Sequence, residues 1–216
     1  MIKSVLASVT GAALDALKSN FAPPDELPIF PLGQVLFPGG SMALKIFEQR
    51  YLEMAKVCLK TGSPFGIALI REGMEVGIPA TPESVGTLAH VSDWDMQNLG
   101  VLQVRVKGSA RFKLLSTSVS KSGLIVGQIS LLPNDMHIDC PEHPLCAKFL
   151  RKVFAQVGAS GTDDGQRFDD AAWVSYRVAE ILPFSSAIKQ KLLELTDARM
   201  RLEILHRFLA DQGLVE

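Results

Sequence analysis

The sequence predicts an α+β fold: an N-terminal curled antiparallel β lobe that includes one helix, followed by a C-terminal helical bundle. Short apolar runs separated by turn residues fill the first part of the chain, which is typical of strands. Between Val101 and Gly108 apolar and polar side chains alternate, as in a strand with one buried face. After Pro133 the apolar residues recur with the spacing of amphipathic helices.

These patterns divide the chain into an N-terminal extension at 1–24, a β-rich lobe at 25–133 and a helical lobe at 134–216. Its 216 residues, 47% of them hydrophobic, are enough to bury a sizeable core. The net charge is −1 without long single-sign runs, so nothing overall attracts nucleic acid or acidic membranes. Three cysteines cannot all pair, which favours reduced thiols and a cytoplasmic protein.

Residues 1–22 need a separate interpretation, because Lys3 precedes a mildly apolar run from Val5 to Leu14. Polar residues and glycine dilute that run, and no small-residue cleavage site follows it, so a signal peptide is disfavoured. We expect a disordered or partly helical extension. No apolar run approaches the ~20 residues of a membrane-spanning helix, so we expect no membrane partner.

The β lobe opens with the segment from Leu27 to Leu59. Two strand-like apolar runs come first, and they are broken by residues that exclude an interior helix or permit tight turns: Pro28, Pro31, Pro38, Gly39 and Gly40. From Tyr51 onwards the apolar spacing becomes helical, and Gly62 suits the left-handed end of a helix. The segment therefore predicts a strand, a turn, a second strand and a helix.

Further strands are expected along the rest of this lobe, with turns near Gly73 and Gly100. The segment 74–84 predicts an irregular loop, because Pro79 and Pro82 interrupt regular pairing. The expected strands are Pro64 to Ile70, Val85 to Val91, Val101 to Gly108, Phe112 to Leu115 and Leu124 to Leu132.

The helical lobe contains segments with helical periodicity at His143 to Val157, Ala171 to Leu182, Ile188 to Leu195 and Ala198 to Leu209. Asp169 or Asp170 is placed to cap the second of these helices. Gly158 to Gln166 is rich in turn formers and is typical of a linker.

Several segments resemble the Lon protease N-terminal substrate-binding domain family. The opening segment carries LPIFPL at 27–32, VLFPG at 35–39 and LKIFEQRYLEM at 44–54, with Ala43 where the family usually has proline. GTLAHV at 86–91, GSARF at 108–112 and KQKLLELTD at 189–197 extend the resemblance from about Leu27 to about Phe208. The resemblance implies a PUA-like pseudo-barrel for the β lobe and a protein of bacterial type.

We interpret the signature residues of the opening segment as structural. An arginine beside a helix start can pair with a carboxylate and hold the strand-to-helix bend, while a tyrosine packs the lobe. Loss of Glu48, Arg50 or Tyr51 should first reduce stability. The set comprises Pro31, Phe37, Pro38, Gly39, Phe47, Glu48, Arg50 and Tyr51.

The resemblance brings no catalytic chemistry with it. Full-length Lon-type proteases follow this domain with an ATPase module and a Ser-Lys protease module, and we expect a stand-alone form that lacks both. The sequence contains no G-x-x-x-x-G-K-[ST] phosphate loop. Ser185 and Lys189 stand one helical turn apart, but Ser185 is better placed as a helix cap. We predict a protein that is not an enzyme, without catalytic residues or a cofactor.

Two polar clusters contain side chains suited to metal binding or acid–base chemistry. The first cluster, at 137–146, supplies ligand atoms of the kind that zinc binds, but it lacks a paired C-x-x-C. Because Cys146 also falls on an apolar helix stripe, we expect no metal. The second is better explained as solvated turn residues, because His90 points away from the face that Asp93 and Asp95 share. The first cluster comprises His137, Cys140, His143 and Cys146.

The leading hypothesis is a non-catalytic module that binds unfolded or partner proteins and peptides, in the manner of a substrate-recognition domain. Curled sheets bind extended peptides by edge-strand addition or in apolar grooves. An adaptor for a protease or chaperone is one version, and a homo-oligomer is compatible with it. Trp94 and Met96, at the expected hairpin end, are the candidate contact residues unless Trp94 folds back over the sheet edge.

Two other functions are alternatives to protein binding. RNA binding would use a basic stripe along adjoining strands, formed by Arg105, Lys107, Arg111 and Lys113, and PUA-like barrels occur attached to RNA-modifying enzymes. An ATP-independent peptidase ranks last, because it would need a serine or cysteine nucleophile in a catalytic setting that the sequence does not indicate.

Overall fold

The computed structural model describes residues 26–98, 100–135, 144–157 and 167–213. It confirms the α+β class, because a six-stranded sheet with one helix precedes a group of helices. The expected N-terminal extension and the expected linker at 158–166 lie outside the described residues, and the division at 133/134 stays a prediction. No helix among the described residues has the length and apolar character to cross a membrane.

The secondary-structure elements follow the predicted order, except that the strands expected at Val101 to Gly108 and at Phe112 to Leu115 form one continuous strand. They are β1 Leu27–Leu32, β2 Ser41–Ile46, α1 Gln49–Thr61, β3 Phe65–Glu72, β4 Thr81–Asn98, β5 Val101–Val119, β6 Ile125–Leu131, α2 Pro144–Val157, α3 Ala171–Ile181, α4 Ser186–Glu194 and α5 Ala198–Asp211. Val35 to Phe37 is a loop rather than a strand. β4 begins inside the expected irregular loop, with Pro82 at a position where the pairing with β3 is irregular.

The sheet closes on itself. Its order is β2-β5-β4-β3-β1-β6, and β6 pairs with β5 as well as with β1, so five strands form a barrel and β2 extends it from β5. Five of the six pairings are antiparallel, but β1 and β3 are parallel, with Ile29 opposite Gly66. This pairing departs from the expected antiparallel sheet because the β2–α1 crossover returns the chain in the same direction.

Glycines make room for the barrel interior. Phe112 is fully buried there, and a Cβ on Gly66 would lie 2.8 Å from its Cζ atom. A Cβ on Gly86 would lie 2.6 Å from the same atom. Since real side chains do not approach so closely, both strands need glycine where they pass the Phe112 ring.

A tight turn sets the start of β2. The Gly40 N–H donates to the Phe37 carbonyl at 2.9 Å, with Pro38 and Gly39 between them and φ of Gly39 at 71°. This is the pattern of a type II turn, in which the third residue needs a positive φ. Gly39 donates to the Gly108 carbonyl, and Gly108 donates to the Gly40 carbonyl, which forms a glycine bulge against β5.

Side-chain caps start the helices of the second lobe. Asp170, one of the two predicted candidates, accepts hydrogen bonds from the backbone N–H groups of Ala172 and Trp173. Ser185 caps α4 by accepting from the Ile188 N–H, which confirms the capping interpretation of this serine. Lys189 instead donates to the main-chain carbonyl of Glu180 at 2.8 Å.

Candidate functional site

The open edge of β2 is one feature that the fold exposes. Among the described strands β2 pairs with β5 alone, since it lies at the end of the sheet order. The hydrogen bond from Gly108 to Gly40 sets the phase of the ladder, in which every second residue bonds to the neighbouring strand. Ser41, Ala43 and Lys45 therefore direct their backbone N–H and C=O groups away from β5.

An apolar pocket of about 310 Å³ lies beside this edge. That volume is in the range of ligand pockets, roughly 300–1,000 Å³. The Phe30 and Tyr51 rings stack at 4.1 Å between centroids and form part of its wall. Its other apolar contributors include Met42, Leu44, Ile46, Phe47 and Val76. We call the pocket and the open edge of β2 together the edge groove.

The rim of the edge groove exposes large apolar side chains. Phe47 and Val76 are each 50% exposed. Two carboxylates hold the loop that carries Val76: Glu75 accepts from the Gly33 N–H at 2.6 Å, and Glu48 accepts from the Gly77 N–H at 3.4 Å. The apolar rim is therefore a positioned part of the structure.

The bend between β2 and α1 contains the expected arginine–carboxylate pair. The Arg50 guanidinium lies 3.0 Å from the Glu48 carboxylate and donates to the Gly123 carbonyl at 3.0 Å. It also lies 4.7 Å from the centre of the Tyr51 ring, and burial raises the pKa of the Tyr51 hydroxyl. These contacts link α1 to the β5–β6 turn and fix one wall of the groove.

Both lobes contribute to the other end of the groove. A second pocket of about 550 Å³ begins at Ser41, Met42 and Ala43 and is completed by Glu180 and Lys189 from the helical lobe. Burial raises the pKa of the Glu180 carboxyl to about 7, although Arg177 at 3.1 Å acts in the opposite direction. This end of the groove is polar, in contrast to the aromatic end near Phe47.

Trp94 and Met96 lie near the tip of the β4–β5 hairpin, as the sequence indicates. Trp94 is 56% exposed and Met96 is 50% exposed, so Trp94 does not fold back to cover the sheet edge. Trp94 stands opposite Val104 and borders a shallow surface pocket on the strands around β5. The structure does not bring these two residues into the edge groove, and their role in partner binding stays a prediction.

The basic stripe is interrupted in the structure. Arg105 and Lys113 are exposed and Lys107 is half-buried, but Arg111 is only 3% exposed. The expectation that these four residues share one accessible stripe is therefore wrong. The physical reason is tertiary, because the helical lobe covers the barrel at Arg111.

Arg111 belongs to a buried polar network between the lobes. It donates to the carbonyls of Leu193 and Leu195, which end α4, and its guanidinium lies 2.9 Å from the Asp135 carboxylate. Cations at a helix C-terminus complement the partial negative charge of the exposed carbonyls. Arg201 pairs with the other oxygen of Asp135. We call these residues the lobe junction.

Aromatic contacts complete the lobe junction. The Arg201 guanidinium lies 3.9 Å from the centre of the Tyr176 ring, and burial raises the pKa of the Tyr176 hydroxyl. Phe37, which is fully buried, approaches the same ring with 5.7 Å between centroids. Sequence reasoning missed Asp135 and Tyr176 here. The available signal was Arg201, a charged residue on the apolar stripe of α5.

The candidate metal cluster mostly lies outside the described residues, since His137, Cys140 and His143 fall there. Cys146 is buried, and its thiol faces the Leu202 carbonyl at 3.9 Å. Within the described ranges no group of three histidine, cysteine or acidic side chains is arranged to hold a metal ion.

Comparison with known proteins identifies one family model and relatives of the same kind. The model of the ATP-dependent protease La (LON) substrate-binding domain matches residues 26–211. A Lon protease from Anaeromyxobacter dehalogenans (strain 2CP-C) is 25% identical over 191 residues, which cover 84% of this chain and 22% of that protein. The chain thus spans less than a quarter of the length of that curated relative.

Two solved structures are similar to this fold. The crystal structure of a Lon N-terminal domain protein from Xanthomonas campestris is 38% identical, has a TM-score of 0.70, and the match covers 83% of this chain and 96% of that one. The N-terminal domain of the Mycobacterium avium complex Lon protease is 16% identical with a TM-score of 0.62, covering 86% and 98%. The second likeness concerns the fold alone.

Proposed function

This chain belongs to the ATP-dependent protease La (LON) substrate-binding domain family, and we propose that it binds unfolded or partner proteins in the edge groove. The family supports a substrate-binding module, which is non-catalytic within Lon. The identity of the bound chains and the location of the binding surface are parts of the proposal.

The observation that carries the proposal is the half-exposed Phe47 at the rim of an apolar pocket. An aromatic side chain exposed beside other apolar groups gains free energy when a partner covers it. Val76 contributes a second exposed apolar group on the loop that borders the same pocket. Unfolded proteins expose the apolar side chains that would fill this space, whereas folded proteins bury most of them.

The polar groups of the rim support recognition rather than chemistry. Glu48 is engaged with Arg50 and the Gly77 N–H, and Glu75 is engaged with the Gly33 N–H. Both carboxylates therefore hold the shape of the groove. An apolar groove with a small number of positioned polar groups is typical of binding sites.

We further propose that the module works in the cytoplasm as an adaptor that presents bound chains to a separate protease or chaperone. Buried thiols such as Cys58 and Cys146 are usual in reducing compartments. Affinity purification from the native cell, with proteins and RNA both identified, tests the adaptor role. Recovery of RNA without protein partners would contradict it.

The binding proposal is tested with the double variant Phe47→Ser and Val76→Ser. We expect its affinity for a fluorescently labelled, chemically unfolded protein to fall about tenfold or more, since contact residues of this kind contribute over 1 kcal/mol. Fluorescence anisotropy measures the affinity, and thermal unfolding verifies that the variant remains folded.

Val57→Ser is the matched control. Val57 is likewise an exposed apolar residue, but it lies on α1 and does not line the groove. Its substitution should leave affinity unchanged. If the double variant binds the unfolded protein as tightly as the parent chain, or if the parent chain does not bind it, the proposal is wrong.

A further inference from the structure

We propose that the bound segment extends the sheet as a new strand paired with β2 and is selected by alternation of apolar and polar side chains. This inference rests on the proposed function and specifies its substrate class. The occupant is an extended segment inside an unfolded chain, with apolar residues at every second position.

The backbone of β2 provides the first argument. Ser41, Ala43 and Lys45 direct N–H and C=O groups to the open edge, because the residues between them bond to β5. Such groups form a template for another strand. β2 itself contains no proline, whereas β1 contains Pro28 and Pro31.

Closure of the barrel makes this edge distinctive among the described strands. β6 would be the other end of the sheet, but it pairs with both β1 and β5. Among the described strands, β2 is the one that has a single neighbour over its whole length, whereas β4 has β5 as its single neighbour only beyond Ala89. An added strand can therefore pair with the open edge of β2.

The two faces of β2 provide the specificity argument. Leu44 and Ile46 are buried and Met42 is half-buried on the face toward the pocket, while Ala43 and Lys45 are exposed on the other face. A strand added to β2 shares its pleat, so alternate side chains of the added strand point to opposite faces. Those on the inner face would enter the apolar pocket, and those on the outer face would meet water.

The length of β2 limits the recognised motif. Its six residues span about 20 Å at roughly 3.3 Å per residue. Half of the positions opposite them point toward Phe30, Tyr51 and Phe47, so about three apolar side chains are accommodated. A helical amphipathic segment spaces its apolar residues by three or four positions and cannot pair with a strand edge.

The specificity is tested with two fluorescent peptides of identical composition and about 12 residues each. One alternates apolar and polar residues, and the other places the same apolar residues at helical spacing. We expect the alternating peptide to bind about tenfold more tightly in fluorescence anisotropy, because it alone satisfies the period of two. Equal affinities that both depend on Phe47 would overturn this inference and leave the proposed function intact.

The strand pairing is tested with Ala43→Pro. Proline removes the N–H that faces the open edge, and no bond to β5 is lost, so the fold should be retained. We expect the affinity for the alternating peptide to fall about fivefold or more, toward that of the rearranged peptide. Ala43→Thr keeps the N–H and is the control, with little change expected. Unchanged binding by folded Ala43→Pro would contradict strand addition.

Hydrogen exchange provides an independent readout. Binding of the alternating peptide should slow amide exchange at Ala43 and Lys45, whose N–H groups face the edge, with little effect at Leu44, which is already bonded to β5. Slowing confined to residues outside β2 would contradict the pairing. If neither peptide nor an unfolded protein binds at all, the proposed function itself fails.

Discussion

The lobe junction and the edge groove have opposite physical characters. In the junction, charged side chains are buried and paired: Asp135 meets both Arg111 and Arg201. In the groove, the apolar side chains Phe47 and Val76 are half exposed and the edge of β2 is open. Buried charges with partners hold an architecture together, whereas exposed apolar groups indicate a surface that another molecule covers.

The two phenylalanines of the opening segment show the same contrast. Phe37 is completely buried and packs in the core of the helical lobe, where it approaches Tyr176. Phe47 is half exposed and belongs to the groove rim. Phe47 was interpreted from the sequence as structural; its exposure places part of the family signature at the proposed binding surface.

The strongest test of the contrast is Asp135→Ala. The substitution would leave Arg111 and Arg201 as buried charges without their carboxylate, which typically costs about 3–5 kcal/mol of unfolding free energy. Chemical denaturation measures this loss. Glu203→Ala removes a carboxylate from an exposed pair with Arg207, and it should cost less than about 1 kcal/mol. Similar costs for the two variants would contradict the structural role of the junction.

The variants Phe37→Ala and Phe47→Ala separate an effect on stability from an effect on binding. We expect Phe37→Ala to lower the unfolding free energy by about 3 kcal/mol, because it opens a cavity in a buried cluster. Phe47→Ala should cost less than about 1 kcal/mol, since the side chain is half exposed, yet weaken binding of unfolded protein. Chemical denaturation and fluorescence anisotropy on both variants measure stability and binding. A larger stability loss in Phe47→Ala than in Phe37→Ala, with binding weakened only in Phe37→Ala, would contradict the prediction.

The polar end of the groove should give the fold a pH dependence. The pKa of Glu180 rises from 4.5 to about 7 on folding, so the folded state holds its proton more tightly than the unfolded state. Stability from this group is present below pH 4.5 and is lost as pH rises toward 7. As pH rises, we expect the unfolding free energy of the parent chain to fall by about 1–3 kcal/mol relative to that of Glu180→Gln, at 1.36 kcal/mol per pKa unit.

Unfolding free energies of both chains at pH 5 and pH 8 measure this difference. Arg177 and Lys189 are the cations near Glu180, and both act to lower the pKa of its carboxyl, against the effect of burial. A parent chain whose stability follows that of Glu180→Gln at both pH values would contradict the raised pKa.

The smallest expected effect concerns the hairpin tip. Trp94→Ala should change stability by less than about 0.5 kcal/mol, because Trp94 is mostly exposed. If Trp94 contacts partners, the variant binds unfolded protein more weakly. The pockets beside Trp94 and Phe47 share Ala43, Leu44 and Lys45, so a double variant with Phe47→Ala measures whether the two residues act independently. Unchanged stability and unchanged binding would remove Trp94 from the partner surface.

Local patterns were informative where the physical cause is local. The period of two at Val101 to Gly108 and the helical spacing after Pro133 correspond to β5 and to the helices of the second lobe. The caps at Asp170 and Ser185 were also recognisable, because a cap needs only a short polar side chain before a helix. The arginine–carboxylate pair at the bend involves residues two positions apart.

The sequence predicted the binding mode of the edge groove but not its location. Edge-strand addition and apolar grooves were expected of a curled sheet, but neither β2 nor Phe47 was singled out as the binding surface. Phe37 follows Leu36 and Phe47 follows Ile46, so each phenylalanine ends a short apolar run, and sequence alone does not distinguish their exposure. The difference arises because the helical lobe covers Phe37 and leaves Phe47 at a rim.

The sequence by itself determined the family, the α+β class, the succession of a β lobe and a helical lobe, and the turn at Pro38 and Gly39, since each depends on neighbouring residues. Tertiary structure alone decided the parallel β1–β3 pair, the closure of β6 onto β5, the burial of Arg111 and the open edge of β2. These features depend on contacts between residues far apart in the chain, which compete over the whole molecule and leave no local pattern.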